Sequence, residues 1–542
     1  MAEEPKQEDL LNIDHSPLKL GLEKGWMRTP VNIRPSMHCF ACEPARLEVV
    51  DFPNPRVWSV MDEDWKLPRN WKEIVIDAFK DRLDRFRSFK LFMDICVRCG
   101  ACADKCHFFI GSADPKNMPV LRAELLRSVY RKNWTTAGKL LGPLAGARDL
   151  TYDVLKEWWY YLYQCSECRR CSVFCPYGID TAEITIIGRE LTNLLGLNID
   201  WIAAPVAFCY RTGNHLGIQP HAYKGMMEFF QDEIEEVTGV RVEPSFNRKG
   251  AEILFITPSG DVFADPGTYT CMGYMILFHE LGLDVTWSTY ASEGGNFGLF
   301  TSHEMMKRLN AKMYAEAKRL GVKWILGGEC GHMWRVINQY MGTMNLDIAE
   351  GSNLEEPVSP ITGTKFENAK STKMVHITEF TADLIKHGKL KLDPKRNDHR
   401  VVTFHDSCNP SRAMGLLEEP RYIIKNVCNH FYEVPPTTIR EQTFCCGGGS
   451  GLNAGEDVEL RMRGGLPRAN AVRYVHAKYG VNMLANVCAI DRAVLPPLMQ
   501  YWVPEVDVTG VHELVANAMV LEGEKEKTVD LRNEPLPGTE DS

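Results

Sequence analysis

The sequence lacks the features that would place this protein in a bilayer, in a secretory pathway or on nucleic acid. No apolar run approaches the ~20 residues needed to span a membrane. Residues 1–14 are acidic and polar, without the apolar core of a signal peptide. The formal net charge of −9 argues against nucleic acid as a bulk electrostatic partner. We expect a cytoplasmic protein that is soluble, or attached to a membrane only through partner subunits.

A nucleotide-binding glycine motif is also missing. No convincing Gly-x-Gly-x-x-Gly lies between a strand and a helix, so we expect no flavin or nicotinamide on this chain. Cysteine, in contrast, is abundant: the 542 residues include 18 cysteines, mostly in cluster-type spacings that suit a reducing compartment. The length indicates roughly three or four domains.

Two four-cysteine runs dominate the N-terminal half. The downstream run, Cys165 to Pro176, has the spacing C-x2-C-x2-C-x3-C-P, which is typical of bacterial ferredoxins and holds a [4Fe–4S] cluster. The upstream run, Cys96 to Cys106, repeats the spacing but has His107 where proline is usual. The alternative, zinc or disulfide knots, is disfavoured because zinc sites usually take thiols as two separated pairs.

The fourth cysteine of such a run ligates the other cluster. We therefore predict two cubane clusters with crossed ligand sets. The first set is Cys96, Cys99, Cys102 and Cys175, and the second is Cys165, Cys168, Cys171 and Cys106. Helical patterns flank both runs, including an aromatic-rich stretch at 154–163 that is more typical of a core than of a substrate site. These patterns predict an all-helical two-cluster ferredoxin domain over residues 71–200.

Residues 1–70 form an irregular N-terminal arm in this interpretation. The arm contains a Cys39-x-x-Cys42 pair next to His38, too few ligands for a complete metal site. Two alternatives stay open: plain thiols in a docking arm, or a metal site completed by a partner.

The residue pattern changes after a helical linker at 201–250. Short β-branched runs then alternate with helices, at 253–256, 285–287, 322–326, 401–404, 431–434 and 482–487. This alternation predicts α/β units with parallel strands. The stretch 252–260 resembles 400–408, so we predict two related α/β halves at 251–395 and 396–521, a degenerate repeat. The charged segment 522–542 is predicted to be disordered.

The second half carries the candidate active site. Its cysteines are Cys408, the adjacent pair Cys445 and Cys446 followed by three glycines, and Cys488. Each follows a predicted strand or its loop, and ligands in open α/β folds bind at that edge of the sheet. Adjacent thiols cannot easily form a disulfide with each other, but they can ligate neighbouring irons of one cluster. The alternative is a glycine-rich turn with incidental thiols.

Two ferredoxin runs followed by paired α/β halves with a Cys-Cys-Gly motif resemble the catalytic-subunit family of heterodisulfide reductases. That family carries Cys…Cys-Cys-Gly…Cys-x-x-Cys around a [4Fe–4S] cluster, possibly non-cubane, at which a disulfide is reduced. Cys408, Cys445, Cys446 and Cys488 match this motif, whereas Asp491 stands in place of the last cysteine. The glycine-rich run 445–451 and the segment 328–334 resemble the branch found in the membrane complex associated with sulfite reduction.

The first half has lost most of this motif. Ser259 and Gly260 stand where the second half has Cys408, and residues 294–296 stand where it has Cys-Cys-Gly. Cys330 persists, so we predict one catalytic cluster, with Cys330 either facing it or serving as a buried structural thiol. His332 and His405 are candidate proton carriers, although a lone histidine is more often structural.

The resemblance also implies partners and a reaction. A quinol-linked, integral-membrane cytochrome b subunit would supply electrons. Through the two cubane clusters and the catalytic cluster these would reduce a disulfide or trisulfide on a small DsrC-like sulfur-carrier protein. The subunit would then be peripheral on the inner face of the cell membrane. The competing hypothesis is an electron-transfer subunit of a glycolate- or glycerol-3-phosphate-type dehydrogenase, without thiol chemistry of its own.

Overall fold

The computed structural model describes residue 65 and residues 67–198, 200–293, 295–344, 346–452 and 458–539. Most of the predicted arm, including Cys39 and Cys42, lies outside these residues, and so does Gly294. A helical region comes first in the chain, and two parallel sheets covered by helices follow it.

The helices are numbered in chain order. They are α1 Trp71–Arg85, α2 Arg87–Asp94, α3 His107–Ser112, α4 Pro119–Trp134, α5 Thr136–Leu141, α6 Tyr152–Leu162, α7 Arg170–Val173, α8 Thr181–Asn193, α9 Asp200–Thr212, α10 Pro220–Thr238, α11 Ser259–Phe263, α12 Gly267–Glu280, α13 Asn296–Leu299, α14 His303–Leu320, α15 Gly331–Arg335, α16 Gly342–Met344, α17 Leu346–Glu350, α18 Ile377–Lys386, α19 Glu419–Val427, α20 Val458–Tyr479, α21 Ala489–Trp502 and α22 Val511–Ala518. Every helix in the described part of the chain is too short or too polar to cross a lipid bilayer.

Within the described residues seven strands form the two sheets, and all of their pairings are parallel. They are β1 Ile253–Ile256, β2 Val285–Trp287, β3 Trp324–Gly327, β4 Met374–His376, β5 Val402–Phe404, β6 Met483–Asn486 and β7 Asp507–Gly510. The first sheet has the order β2-β1-β3-β4 and the second the order β5-β6-β7. The predicted fold class, helices followed by α/β units with parallel strands, is therefore confirmed.

The strand predictions were wrong in detail at three places. The stretch 431–434 forms only a single parallel bridge, from Phe431 to Val402 beside β5, and the sequence pattern missed β4 and β7. If the Phe431 bridge is counted, both sheets have the same order of connections. The degenerate repeat stays a prediction, and this shared order supports it.

Aromatic residues fill the core of the helical region. Trp158 on α6 is fully buried, and its ring stacks on Phe79 of α1 with ring centroids 6.3 Å apart. Trp159, Tyr160 and Tyr161 are buried beside it. The aromatic stretch at 154–163 therefore lies in the core, and its rings hold α6 against the helices that flank the cysteine runs.

The strand ends of one sheet face the strand ends of the other. Arg492 on α21 is buried, and its guanidinium lies 2.7 Å from Asp261 and 2.6 Å from Glu329, both in the first half. The backbone N–H of Ala489 donates to the carbonyl of Glu329 at 2.9 Å. Breaking a buried ion pair from one side typically costs about 3–5 kcal/mol, so this network fixes how the halves meet.

The prediction of a disordered tail over 522–542 was wrong for the described residues 522–539. Leu531 and Leu536 are buried, and Arg532 pairs with the buried Glu513 of α22 at 2.5 Å. The tail has few apolar residues, which is why its composition suggested disorder. Two buried leucines and several ion pairs with the second half, among them Arg400 with Asp530 at 2.8 Å, nevertheless hold it in place.

A buried histidine joins the helical region to the first α/β half. His303 at the start of α14 lies 3.2 Å from Glu183 and 3.6 Å from Glu190, both on α8. Burial alone would lower the pKa of His303, but its hydrogen bond with Glu183 and the charges of both carboxylates outweigh burial and raise the pKa to about 10. A histidine whose pKa is raised by folding stabilises the folded state, and this stabilisation is fully present below the pKa of about 6.5 in the unfolded state. It is lost as the pH rises through the pKa of the folded state.

We predict that His303→Gln lowers the thermal unfolding midpoint most at pH 6–7, because the charged imidazole is lost there. The gap between wild type and variant should narrow as the pH rises towards 10, as measured by circular dichroism under anaerobic conditions. His221→Gln, at an exposed position on α10, is the control. A gap that stays constant over this range would contradict the assignment.

Candidate metal centre

The four predicted ligands of the first cluster line one pocket. Cys96, Cys99, Cys102 and Cys175 all face it, together with backbone of the loop 97–101. Burial raises the pKa of Cys102, and the neighbouring Cys175 and Cys96 thiols raise it further. Cys99 is exposed to solvent. The structure therefore brings the upstream run together with the last cysteine of the downstream run.

Three predicted ligands of the second cluster gather around a buried arginine. Burial raises the pKa of Cys171, and the charges of Cys106 and Cys165 add to this effect. Arg122 is 2% exposed, and its Nε donates to the carbonyl of Tyr161 at 3.1 Å. Burial acts to lower the pKa of Arg122, but these three thiols outweigh it, so the pKa is raised. A buried guanidinium beside sulfur donors is what a negatively charged thiolate set requires.

Cys168, the fourth predicted member of that set, also borders a second group of thiols. Its hydrogen bond with Cys445 is the largest cause of its raised pKa, ahead of burial, and Cys171 contributes less. Nδ1 of His107 lies 3.8 Å from its sulfur. Cys168 thus lies between the second ferredoxin set and the Cys-Cys-Gly loop of the C-terminal half.

The C-terminal thiols meet around Cys445. Cys408 follows β5, while Cys445 and Cys446 lie in the loop that precedes α20, and all three are buried. Hydrogen bonds from the thiols of Cys168, Cys408 and Cys446 hold the pKa of Cys445 well below its usual range. Asp491 on α21 contacts Cys446 through its carboxylate. The expected convergence of Cys408 with the adjacent pair is present, and Asp491 lies where the family motif has its last cysteine.

The glycines after the pair let this loop pack without space for side chains. Gly447 has φ +98°, a conformation that L side chains rarely adopt. A Cβ on Gly449 would lie 2.8 Å from the carbonyl oxygen of Ser166, in the second ferredoxin run. The glycine run therefore brings the loop into direct contact with the second cysteine run.

Cys488 and Cys330 lie to one side of this group. Cys488 precedes α21, and burial and the charge of Asp491 raise its pKa to about 12. Cys330 caps α15, where its sulfur accepts the backbone N–H of Met333 at 3.4 Å. Burial and the nearby Cys488 raise the pKa of Cys330. Cys330 therefore lies near Cys488 at the interface between the halves, and Asp491 lies near both Cys488 and Cys446.

Both predicted histidines are buried at this site. His332 accepts the backbone N–H of Ser450 with Nε2 at 3.4 Å, which leaves the hydrogen of a neutral imidazole on Nδ1. Burial, and then Arg335, lower the pKa of His332 to about 4, so the ring is neutral at pH 7. Its Nδ1 has no hydrogen-bond partner among the described residues. His405 has its Nε2 3.5 Å from Asp491.

Arg189 is the main cation that joins the helical region to the loop. It is fully buried on α8, and its guanidinium donates to the carbonyls of Cys165 at 2.7 Å and Ser450 at 3.3 Å. It also pairs with the buried Glu167 at 3.0 Å. Arg412 donates to the carbonyl of Cys168. These cations and the buried sulfurs together fit iron–sulfur groups, whose thiolate ligands carry negative charge.

Sequence reasoning missed two polar residues between the thiols. His107 was noted only as a departure from the ferredoxin pattern, and Ser166 was not singled out at all. Ser166 Oγ lies 3.2 Å from His107 Nε2 and 3.3 Å from the sulfur of Cys445. The one available signal was the missing proline at position 107.

Two family models match the chain in the regions that hold these thiols. A 4Fe-4S dicluster domain matches residues 92–179, which include both ferredoxin runs. A cysteine-rich domain, the CCG model, matches residues 402–489, which include Cys408, Cys445, Cys446 and Cys488.

The chain is similar to curated relatives along most of its length. It is 52% identical over 496 residues to the Hdr-like menaquinol oxidoreductase iron-sulfur subunit of Archaeoglobus profundus, covering 88% of this chain and 89% of the relative. The iron-sulfur subunit 2 of the same name from Archaeoglobus fulgidus is 52% identical over 491 residues, with 87% and 88% covered. One component of the dihydromethanophenazine:CoB--CoM heterodisulfide reductase of Methanosarcina barkeri is 23% identical over 447 residues, with 79% and 94% covered.

We predict that Gly449→Ala displaces the glycine loop from Ser166, because the added methyl group meets a backbone oxygen that cannot rotate away. The iron content of anaerobically purified protein should fall while the cubane signals in electron paramagnetic resonance (EPR) spectra persist. Gly225→Ala, at a position on α10 with open space around the added methyl, is the matched control. Unchanged iron content in Gly449→Ala would contradict the close contact.

Proposed function

Because the chain belongs to the heterodisulfide-reductase-like (Hdr-like) family of iron–sulfur subunits, we propose that it reduces a disulfide or trisulfide at the Cys-Cys-Gly site of a membrane-bound complex. A quinol-linked, integral-membrane cytochrome b subunit is the proposed electron donor. A small DsrC-like protein is the proposed sulfur carrier. The names of relatives support the two ends of this reaction, since one names menaquinol and another a heterodisulfide.

The observation that carries the proposal is the group of buried thiols at Cys408, Cys445 and Cys446. Together with Cys488 they would hold the catalytic [4Fe–4S] cluster, while the two ferredoxin sets would hold one cubane cluster each. When bound, these groups supply electrons and an iron that accepts a substrate sulfur. A pure relay has no need for a third group of buried sulfurs, and the thiols of Cys168, Cys408 and Cys446 already stabilise Cys445 as the thiolate that ligation requires.

The protein's own residues would orient the substrate and its protons. His332 is neutral at pH 7, and its Nδ1–H is buried without a protein acceptor among the described residues. We propose that this N–H donates a hydrogen bond to the sulfur of the bound substrate. Cys330, beside Cys488, is the proposed further thiol of the site.

Within this family we propose that the chain is DsrK. DsrK is the Hdr-like iron–sulfur subunit of the membrane complex associated with sulfite reduction in dissimilatory sulfur metabolism. The run 445–451 and the segment 328–334 support it. In this proposal the protein is peripheral on the inner face of the cell membrane and attached through its partner subunits. The alternative, an iron–sulfur subunit of a glycolate- or glycerol-3-phosphate-type dehydrogenase, requires no thiol chemistry at the C-terminal group.

EPR of the oxidised protein distinguishes these proposals. Addition of a reduced DsrC-like carrier with two cysteines should produce a new paramagnetic signal, because its thiol binds the catalytic group. Cys445→Ser or Cys446→Ser should abolish this signal and lower the iron content from about 12 to about 8 per chain, while the cubane signals remain.

Cys428→Ser is the matched control, since Cys428 is equally buried but lies in α/β core away from the site. It should leave both the signal and the iron content unchanged. A wild-type protein with about 8 irons and no substrate-dependent signal would favour the dehydrogenase-type relay.

A further inference from the structure

A short chain of polar atoms connects the second ferredoxin run to the Cys-Cys-Gly loop. Nδ1 of His107 lies 3.8 Å from the sulfur of Cys168, and its Nε2 lies 3.2 Å from Ser166 Oγ. Ser166 Oγ lies in turn 3.3 Å from the sulfur of Cys445. One imidazole and one hydroxyl therefore contact two sulfurs that we assign to different iron–sulfur groups, the imidazole at Cys168 and the hydroxyl at Cys445.

Close packing holds the imidazole in this place. His107 is 1% exposed at the start of α3, and its ring contacts Phe108 with centroids 4.2 Å apart. A Cβ on Gly464 of α20 would lie 2.5 Å from the Phe108 ring, and one on Gly111 of α3 would lie 2.3 Å from the carbonyl oxygen of Arg463. With α3 pressed this closely against α20, the ring of His107 has no space to swing away from the thiols.

His107 and Ser166 together have too few hydrogens to donate to both sulfurs at once. A ligating thiolate only accepts hydrogen bonds, a serine hydroxyl carries one hydrogen, and a neutral imidazole carries one N–H. With that hydrogen on Nε2, His107 donates to Ser166, and the hydroxyl of Ser166 donates to Cys445. With it on Nδ1, His107 donates to Cys168, and the hydroxyl turns back to Nε2. In either arrangement this pair donates a hydrogen bond to only one of the two thiolates, while the backbone N–H of Gly447 donates to Cys445 in both.

We propose that His107 and Ser166 are positioning residues that decide which of the two iron–sulfur groups receives this hydrogen bond. The proposal rests on the proposed function, because it takes Cys168 and Cys445 as ligands of separate groups. Hydrogen bonds to ligand sulfurs are one of the factors that set the reduction potential of an iron–sulfur group. A hydrogen bond favours the more negative, reduced state, so the group that receives it has the higher potential. When the hydrogen bond moves from one group to the other, the first potential falls and the second rises.

Redox titration of the full, cluster-loaded chain, followed by EPR, tests this link. The amide nitrogen of glutamine occupies the place of Nε2, and that of asparagine occupies the place of Nδ1. Relative to His107→Asn, His107→Gln should therefore give a lower midpoint potential for the group held by Cys106, Cys165, Cys168 and Cys171, because only the asparagine amide reaches the sulfur of Cys168. Ser166→Ala should lower the potential of the Cys-Cys-Gly group, and Ser166→Thr, which keeps the hydroxyl, should restore it.

The group held by Cys96, Cys99, Cys102 and Cys175 should titrate unchanged in all of these variants. Ser172→Ala is the matched control, because Ser172 lies in the same cysteine run as Ser166. Its hydroxyl donates to Asp180 at 3.3 Å, so its loss should not affect either potential. If the group held by Cys106, Cys165, Cys168 and Cys171 has the same potential in His107→Gln and His107→Asn, the link is wrong. Ser166→Ala, a small change within a loop, tests the Cys445 end independently if a His107 variant fails to load iron.

Failure of the link and failure of the proposed function give different results. If the wild-type protein itself lacks a third iron–sulfur signal, the proposed function fails before any variant is compared. If all three signals are present and the variants match wild type, only the hydrogen-bond link is wrong.

Discussion

The structure depends on burying several sulfurs around one thiolate. Thiolates are costly to bury, because their charge loses its hydration, unless hydrogen bonds and cations replace the water. Around Cys445 the neighbouring thiols supply the hydrogen bonds, and the guanidinium of Arg412 donates to the backbone carbonyl of the adjacent Cys168. In the second ferredoxin set Arg122 has this role. The fold can be understood as the arrangement of helices and sheets that brings these compensating groups to the sulfurs.

Buried contacts hold the helical region and the two α/β halves in fixed positions around Cys445. Arg189 joins α8 to the second cysteine run and to the glycine loop, and Arg492 joins α21 to two carboxylates of the first half. Gly111 and Gly464 bring α3 and α20 into contact. An error of about 1 Å in any of these contacts would separate sulfurs that have to share one inorganic group, which explains why buried ion pairs and glycines concentrate there.

Much of this arrangement could be predicted from local sequence. The crossed ferredoxin sets follow from spacing alone, and the end-of-strand positions of Cys408 and Cys488 follow from short apolar runs. β7, with the sequence Asp-Val-Thr-Gly, has no such run. The tail is held by ion pairs with residues far away in the chain, such as Arg532 with Glu513 and Arg400 with Asp530, so composition gave the wrong result there. The proximity of Cys168 to Cys445, and of Ser166 to both His107 and Cys445, depends on packing between residues far apart in the chain. No spacing rule encodes such contacts.

The central claim is that this chain holds a third iron–sulfur group beside Cys445, separate from the two ferredoxin groups. Anomalous diffraction at the iron edge from anaerobically grown crystals of the loaded protein tests it directly. The account predicts three separate iron peaks, the third bordered by the sulfurs of Cys408, Cys445 and Cys446. Two peaks confined to the ferredoxin sets, with free thiols around Cys445, would contradict it.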